Sequence, residues 1–175
     1  MTMVMPTPAV PPSRTAQADA VIMDLLAIRA VGDRLRQGEV GKAGAWIEQG
    51  DQGHRLIILW DDFEGDRWQA AVANVRRTTC HLRANGFTDA EWDAARRNVI
   101  GDLEERAKAM PSALNVELAK DLSHALADGR ALIPPDELLR RARMILPATD
   151  RAAGNRWWRA QWTATREHLR VESPE

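Results

Sequence analysis

Four histidines (His54, His81, His124 and His168) and one cysteine, Cys80, are the residues best suited to metal or nucleophilic chemistry in this chain of 175 residues. Two imidazoles one helical turn apart, with a glutamate beside one of them, can hold a zinc ion and activate its water. No two of the four lie within one helical turn. His81 is followed by Leu82, Arg83, Ala84 and Asn85, so neither the second imidazole nor the glutamate is in place. Cys80 beside His81 has the composition of a nucleophile and its base, but neighbours on a helix point about 100° apart. His54, His81 and His124 read as structural or exposed. Asp102, Glu104 and Glu105 interleave with Arg106 and Lys108, the pattern of a salt-bridged, solvated helix face. Gly41, Gly44, Gly50 and Gly53 have no Gly-Lys-Ser/Thr and no strand-to-helix cluster, so they read as turn positions and not as a phosphate cradle. With no zinc site and no other catalytic constellation, the chain reads as a supporting or binding domain.

Binding candidates are few. Trp157, Trp158 and Trp162 fall within about two helical turns. Trp158 and Trp162 share a face and Trp157 sits to the side. They read either as core or as an anchor on a partner surface. The basic pairs Arg76-Arg77, Arg96-Arg97 and Arg140-Arg141 alternate with acids, and the formal net charge is -1. No whole-chain field therefore favours nucleic acid or an anionic membrane surface. No stretch approaches the ~20 apolar residues of a membrane-spanning helix. Met1 to Arg14 contains four prolines and no apolar run, so it does not read as a signal peptide. The compartment stays unassigned. A single cysteine excludes an internal disulfide framework.

These residues must be positioned by an α+β arrangement, a small antiparallel sheet packed on several helices. Residues 1–16 are rich in Pro, Thr and Ser and read as a flexible or extended tail or linker, followed by a single domain over 17–172. Val21, Ile22, Leu25, Ile28, Val31 and Leu35 recur at helical spacing, and Gly38 is a stop. Lys42–Gln49 and His54–Phe63, joined across Gly50-Asp51-Gln52-Gly53, predict an antiparallel hairpin. The apolar centre Leu56-Ile57-Ile58-Leu59-Trp60 suits a strand deep in the sheet. Trp68, Val72, Val75, Thr79 and Leu82 mark the next helix. Thr88 and Glu91 form a capping box, with Phe87 and Trp92 as its hydrophobic staple. That helix continues through Ala95, Val99 and Leu103. Leu114, Leu118, Leu122 and Leu126 space another. Pro134-Pro135-Asp136 opens one through Leu138, Leu139, Ala142 and Ile145, ended by Pro147. Thr149 or Asp150 caps the tryptophan-bearing last helix, and His168–Val171 reads as a short final strand.

In their order along the chain, several segments resemble the insulinase/pitrilysin-type metallopeptidases. Asn85-Gly86-Phe87-Thr88-Asp89-Ala90-Glu91-Trp92-Asp93-Ala94-Ala95-Arg96 is similar to the family's "GFT-x-x-E-x-x-x-A-[KR]" segment. Ala30-Val31-Gly32-Asp33-Arg34-Leu35 resembles its "LNRRL" helix end, and the hairpin from Gly41 to Phe63 falls where the family has strands. Pro111-Ser112-Ala113-Leu114 and Leu118–Leu122 resemble "SAALADEL". Asp128-Gly129 with Ile133-Pro134-Pro135 resembles "EGEP-x-x-S-P-x-x-E". Leu146-Pro147-Ala148-Thr149 resembles "LP-x-[IV]-T". The resemblance covers roughly Ala20 to Val171.

The resemblance implies a metallopeptidase-like fold of the LuxS/pitrilysin type and, specifically, the family's second domain. That domain lacks metal ligands even in active members and helps wall the substrate chamber. Zinc would then belong to a partner catalytic domain or subunit, and no catalytic residue carries over. The family's later half supplies an Arg and a Tyr to substrate; with no Tyr, this chain is not that element. Family members are often periplasmic. The expected partners are the catalytic domain or subunit, peptide substrate, and a second copy of the chain when it is isolated. The alternative is a free-standing protein- or peptide-binding domain, or an inactive homologue with no peptidase role.

Overall fold

The computed structural model of the protein describes residues 2–6, 13–38, 42–49, 54–110, 131–162 and 166–168, with Ala119, Leu122, Ser123 and Val171. The described residues form four strands, five α-helices and a 3-10 turn. The strands are β1 (Thr2–Pro6), β2 (Ala43–Gln49), β3 (His54–Asp61) and β4 (Arg166–His168). The helices are α1 (Arg14–Arg36), α2 (Trp68–Asn85), α3 (Asp89–Ala109), α4 (Pro135–Ile145) and α5 (Arg151–Trp162), and Leu146–Ala148 is the 3-10 turn. This is the expected α+β class. The leucine-spaced helix expected over Leu114–Leu126 lies largely outside the described residues. None of the described helices is long and apolar enough to cross a membrane.

Contacts gather the chain into two compact units. The first comprises Met1–Thr7, Leu26–Ala95 and Asp150–Glu175, and the second Pro8–Leu25 and Arg96–Thr149. The division falls within α1 and α3.

The first unit holds the sheet, in the order β2-β3-β1-β4. Each neighbouring pair is antiparallel. The hairpin is the expected one: Ala43 pairs with Asp61 and Gln49 with Arg55. Strand β3 is interior, as its unbroken apolar run implied. Ile57 and Leu59 on one face are fully buried, while Leu56, Ile58 and Trp60 on the other are only partly covered. The opening residues depart from the tail reading. Thr2–Pro6 is extended and paired, with Thr2 opposite Ile58 on one side and His168 on the other. A strand needs only extended backbone and β-tolerant residues, and Thr2-Met3-Val4-Met5 supplies both ahead of the prolines. The last strand falls at Arg166–His168, two residues earlier than the sequence suggests.

Helix α1 starts at Arg14, ahead of the expected Gln17. Its buried line is Ala18, Ile22, Leu26, Ala27, Ala30, Val31 and Leu35. Val21, Leu25 and Ile28 are half-buried, so small alanines take positions that a hydrophobicity stripe gives to larger residues. The capping box of α3 forms as read. The Thr88 N–H donates to the Glu91 carboxylate at 2.7 Å, and the Glu91 N–H donates to Thr88 Oγ1 at 3.2 Å. Phe87 and Trp92 close the staple with ring centroids 5.3 Å apart. We expect Thr88→Ala to lose about 1 kcal/mol, read as a lowered urea midpoint with unchanged slope. Trp92, Ala95, Val99 and Leu103 are all buried along α3.

The second unit is helical and ion-paired. Arg141 grips Asp19 through Nε and Nη2 at 2.5 and 2.7 Å. Arg14 makes the same two-pronged contact with Glu137, which holds the Glu137 carboxyl below its ordinary range. Arg96 Nη1 donates to the Leu146 carbonyl at 3.1 Å and tethers the 3-10 turn. Pro135 opens α4, where its missing N–H has no intrahelical partner to lose.

Candidate functional site

Of the three tryptophans singled out in the sequence, Trp158 packs as core. Trp158 is 0% exposed. Its ring lies edge-on to Phe87 at 6.5 Å and stacks on Trp157 at 6.4 Å. Trp157 is half-buried, and the Trp162 side chain lies outside the described residues. The local sequence explains the seating of Trp158. The Asp150 carboxylate accepts from the Ala153 N–H at 2.8 Å and caps α5. Asn155 Oδ1 accepts from the Phe87 N–H at 2.7 Å. Gly154 lies against Trp92, and a Cβ there would overlap the indole. Gly86 takes a φ of 71° beneath Asn155, where a side chain would be both strained and obstructed. Helix α5 is thus fastened to the α2–α3 corner, and Trp158 is its core residue.

The other chemical candidates stay apart. Cys80 is exposed, and its neighbour His81 is engaged through Nδ1 with Asn85 Nδ2 at 3.4 Å. The side chains of His54, His124 and His168 lie outside the described residues. Glu105 accepts from Lys108 at 2.7 Å and Glu104 from Arg143 at 2.6 Å, so these acids have the solvated, ion-paired face expected of them. Among the described residues, no three His, Cys, Asp or Glu side chains gather in a group that could hold a metal ion.

A buried polar cluster escaped the sequence reading. Asn74 on α2 is 2% exposed. Its Nδ2 donates to the Leu35 carbonyl at 2.9 Å and to Asp61 Oδ2 at 2.6 Å. A Cβ on Gly38 would overlap its carboxamide. One amide therefore ties the end of α1, the end of β3 and α2 together. Asp61 Oδ1 is buried without a hydrogen-bond donor among the described residues. Burial pushes the Asp61 carboxyl above its ordinary range; the Asn74 hydrogen bond opposes this, and Asp62 adds to it. The only signal in the sequence is an asparagine on the inward line of Ala71, Val75, Thr78 and Leu82. Because the folded-state pKa is raised, the folded protein binds this proton more tightly than the unfolded chain. The cost of the buried charge is present at neutral pH and is relieved as pH falls towards the ordinary value of 3.8. We expect the melting temperature of Asp61→Asn to exceed wild type most at neutral pH, with the gap closing on acidification. A pH-independent gap would show that Asp61 titrates normally.

What the first unit offers outward is a sheet face and a strand edge. Gly44, Trp46 and Glu48 of β2 alternate to the same side as Leu56, Ile58 and Trp60 of β3. Trp46 is 43% exposed, and its ring lies 6.3 Å from that of Trp60. The Trp60 indole lies over Gly44, where a Cβ would collide with it. Among the described residues β2 is an outer strand of the sheet. No local signal in the sequence marks the face of Trp46 as partly open.

No protein-family model matches the sequence, and no curated protein matches it. Solved structures do. The periplasmic protease PqqL from Escherichia coli aligns with a TM-score of 0.75 at 10% identity, over 93% of this chain and 19% of that one. A predicted insulinase family protease from Yersinia pestis aligns with a TM-score of 0.71 at 19% identity, over 94% of this chain and 38% of that one. The inactive peptidase domain of a candidate zinc protease from Bordetella parapertussis aligns with a TM-score of 0.56 at 19% identity, over 99% of this chain and 93% of that one. The chain spans about a fifth of PqqL and under two fifths of the Yersinia protein. Its fold is that of insulinase-type protease chains, as the sequence resemblance implied.

Proposed function

We propose that this chain is a non-catalytic domain or subunit of an insulinase-like zinc protease, which helps wall the substrate chamber and contacts sister domains. The observation that carries this reading is the match in extent to an inactive peptidase domain, over nearly the whole of both chains. Likeness of fold alone leaves chemistry open. The sequence adds that no two of its four histidines have ligand spacing. In this account zinc and the water-activating glutamate belong to a partner, and this chain contributes surface.

Co-purification from the native source, followed by peptidase assays on the complex and on each component, tests the proposal. The expected result is recovery of a chain carrying H-x-x-E-H, an active complex, and a silent chain when this one is assayed alone. Recovery of a partner with no peptidase motif would favour the free-standing binding domain instead.

A further inference from the structure

The outer strand β2 is self-complementary in one register, and from this we propose that two copies of the chain pair antiparallel through β2, about a twofold axis at Ala45. The pairing rests on the residues of β2 and not on the likeness to proteases.

Backbone parity comes first. The Asp62 N–H donates to the Lys42 carbonyl at 2.7 Å, which makes these two a hydrogen-bonded pair of the hairpin. In an antiparallel ladder such pairs alternate along the strand. Gly44, Trp46 and Glu48 therefore spend their backbone groups on β3, and Ala43, Ala45 and Ile47 turn theirs to the free edge. The Ala43 carbonyl confirms this, since Arg36 Nη1 reaches it from outside the hairpin at 3.1 Å. That carbonyl keeps a second lone pair for a strand alongside.

A second β2 centred on Ala45 sets outward residues against outward residues, Ala45 against its twin and Ala43 against Ile47. The intervening pairs are the close, non-hydrogen-bonded ones, where side chains interact most strongly. They set Lys42 against Glu48 and Trp46 against Gly44, twice each by symmetry. Lys42 and Glu48 are exposed, on the same face of the sheet, and neither has an ion-pair partner among the described residues. Gly44 carries no side chain of its own, and the Trp60 indole that lies over it is the aromatic surface the facing Trp46 would meet. Sliding the register by two residues towards Gln49 keeps backbone parity but sets Trp46 against its twin and Glu48 against Gly44, which leaves Lys42 without a carboxylate to face. A single register thus satisfies backbone, charge and size together, and it covers an edge that would otherwise template disordered association.

Sedimentation analysis of the full chain over a wide concentration range tests the proposal, with charge reversals at the two exposed positions. Wild type should dimerise. Glu48→Lys and Lys42→Glu should each raise the dimer dissociation constant by roughly tenfold to a hundredfold, because attraction becomes repulsion at two symmetric sites. The double reversal Lys42→Glu/Glu48→Lys should return it to the wild-type value. A zero-length carbodiimide should also join Lys42 to Glu48. Within one strand these positions are about 20 Å apart at ~3.3 Å per residue, so that bond can form only between copies. A chain that stays monomeric at all concentrations overturns the proposal. So does a dimer that ignores both single reversals or lacks the crosslink, since it must use another surface.

Discussion

Trp158→Ala should destabilise the fold by about 3–5 kcal/mol, the cost of emptying a large aromatic site in a packed core. The side chain is fully buried, between Phe87 at 6.5 Å and Trp157 at 6.4 Å. The surroundings cannot collapse into the void, because Asn155 is bonded to Phe87 and Gly154 is pressed against Trp92. Trp46→Ala supplies the contrast. That ring is 43% exposed, so its loss should cost well under half as much. Urea denaturation of the two variants separates the roles of the two tryptophans. A Trp158→Ala protein as stable as wild type would mean that α5 is loosely held and that its indole serves something other than the core.

The second large effect concerns Asn74. Asn74→Leu should cost about 3 kcal/mol, because it leaves the Leu35 carbonyl and a partly buried Asp61 carboxylate without their shared donor. The cause can be isolated by a double-mutant cycle with Asp61→Leu. Removing both polar partners should cost less than the two single changes together, by about 1 kcal/mol or more. Strict additivity would show that the amide and the carboxylate do not depend on one another, and the knot joining α1, β3 and α2 would lose its physical basis.

These two residues also mark what could be read in the sequence. The hairpin, the capping box at Thr88 and the α4 start at Pro135 were legible because each is encoded locally, by turn residues, caps and periodicity. The inward line of α3 was legible for the same reason. Strand β1 was not, because its pairing with β3 and β4 is a long-range event and the neighbouring prolines dominate the composition. Trp158 could be core or anchor on periodicity alone; its burial depends on Gly154, Asn155 and Phe87, the last of these on a distant stretch of chain. Asn74 is a polar residue on an apolar helix face, and only the fold brings Leu35 and Asp61 to its amide. The outer sheet face was hidden for a related reason. Trp46 and Trp60 have the composition of a core, and only the layering of the sheet leaves one of them partly open.

We propose that the zinc chemistry lies in a partner and that this chain contributes surface without catalysis. Elemental analysis of the purified full chain after exposure to zinc and extensive dialysis, with peptide hydrolysis assayed on the same sample, tests it most directly. The expected result is zinc far below stoichiometric and no hydrolysis above the uncatalysed rate. Stoichiometric, tightly held zinc with accompanying hydrolysis would contradict it.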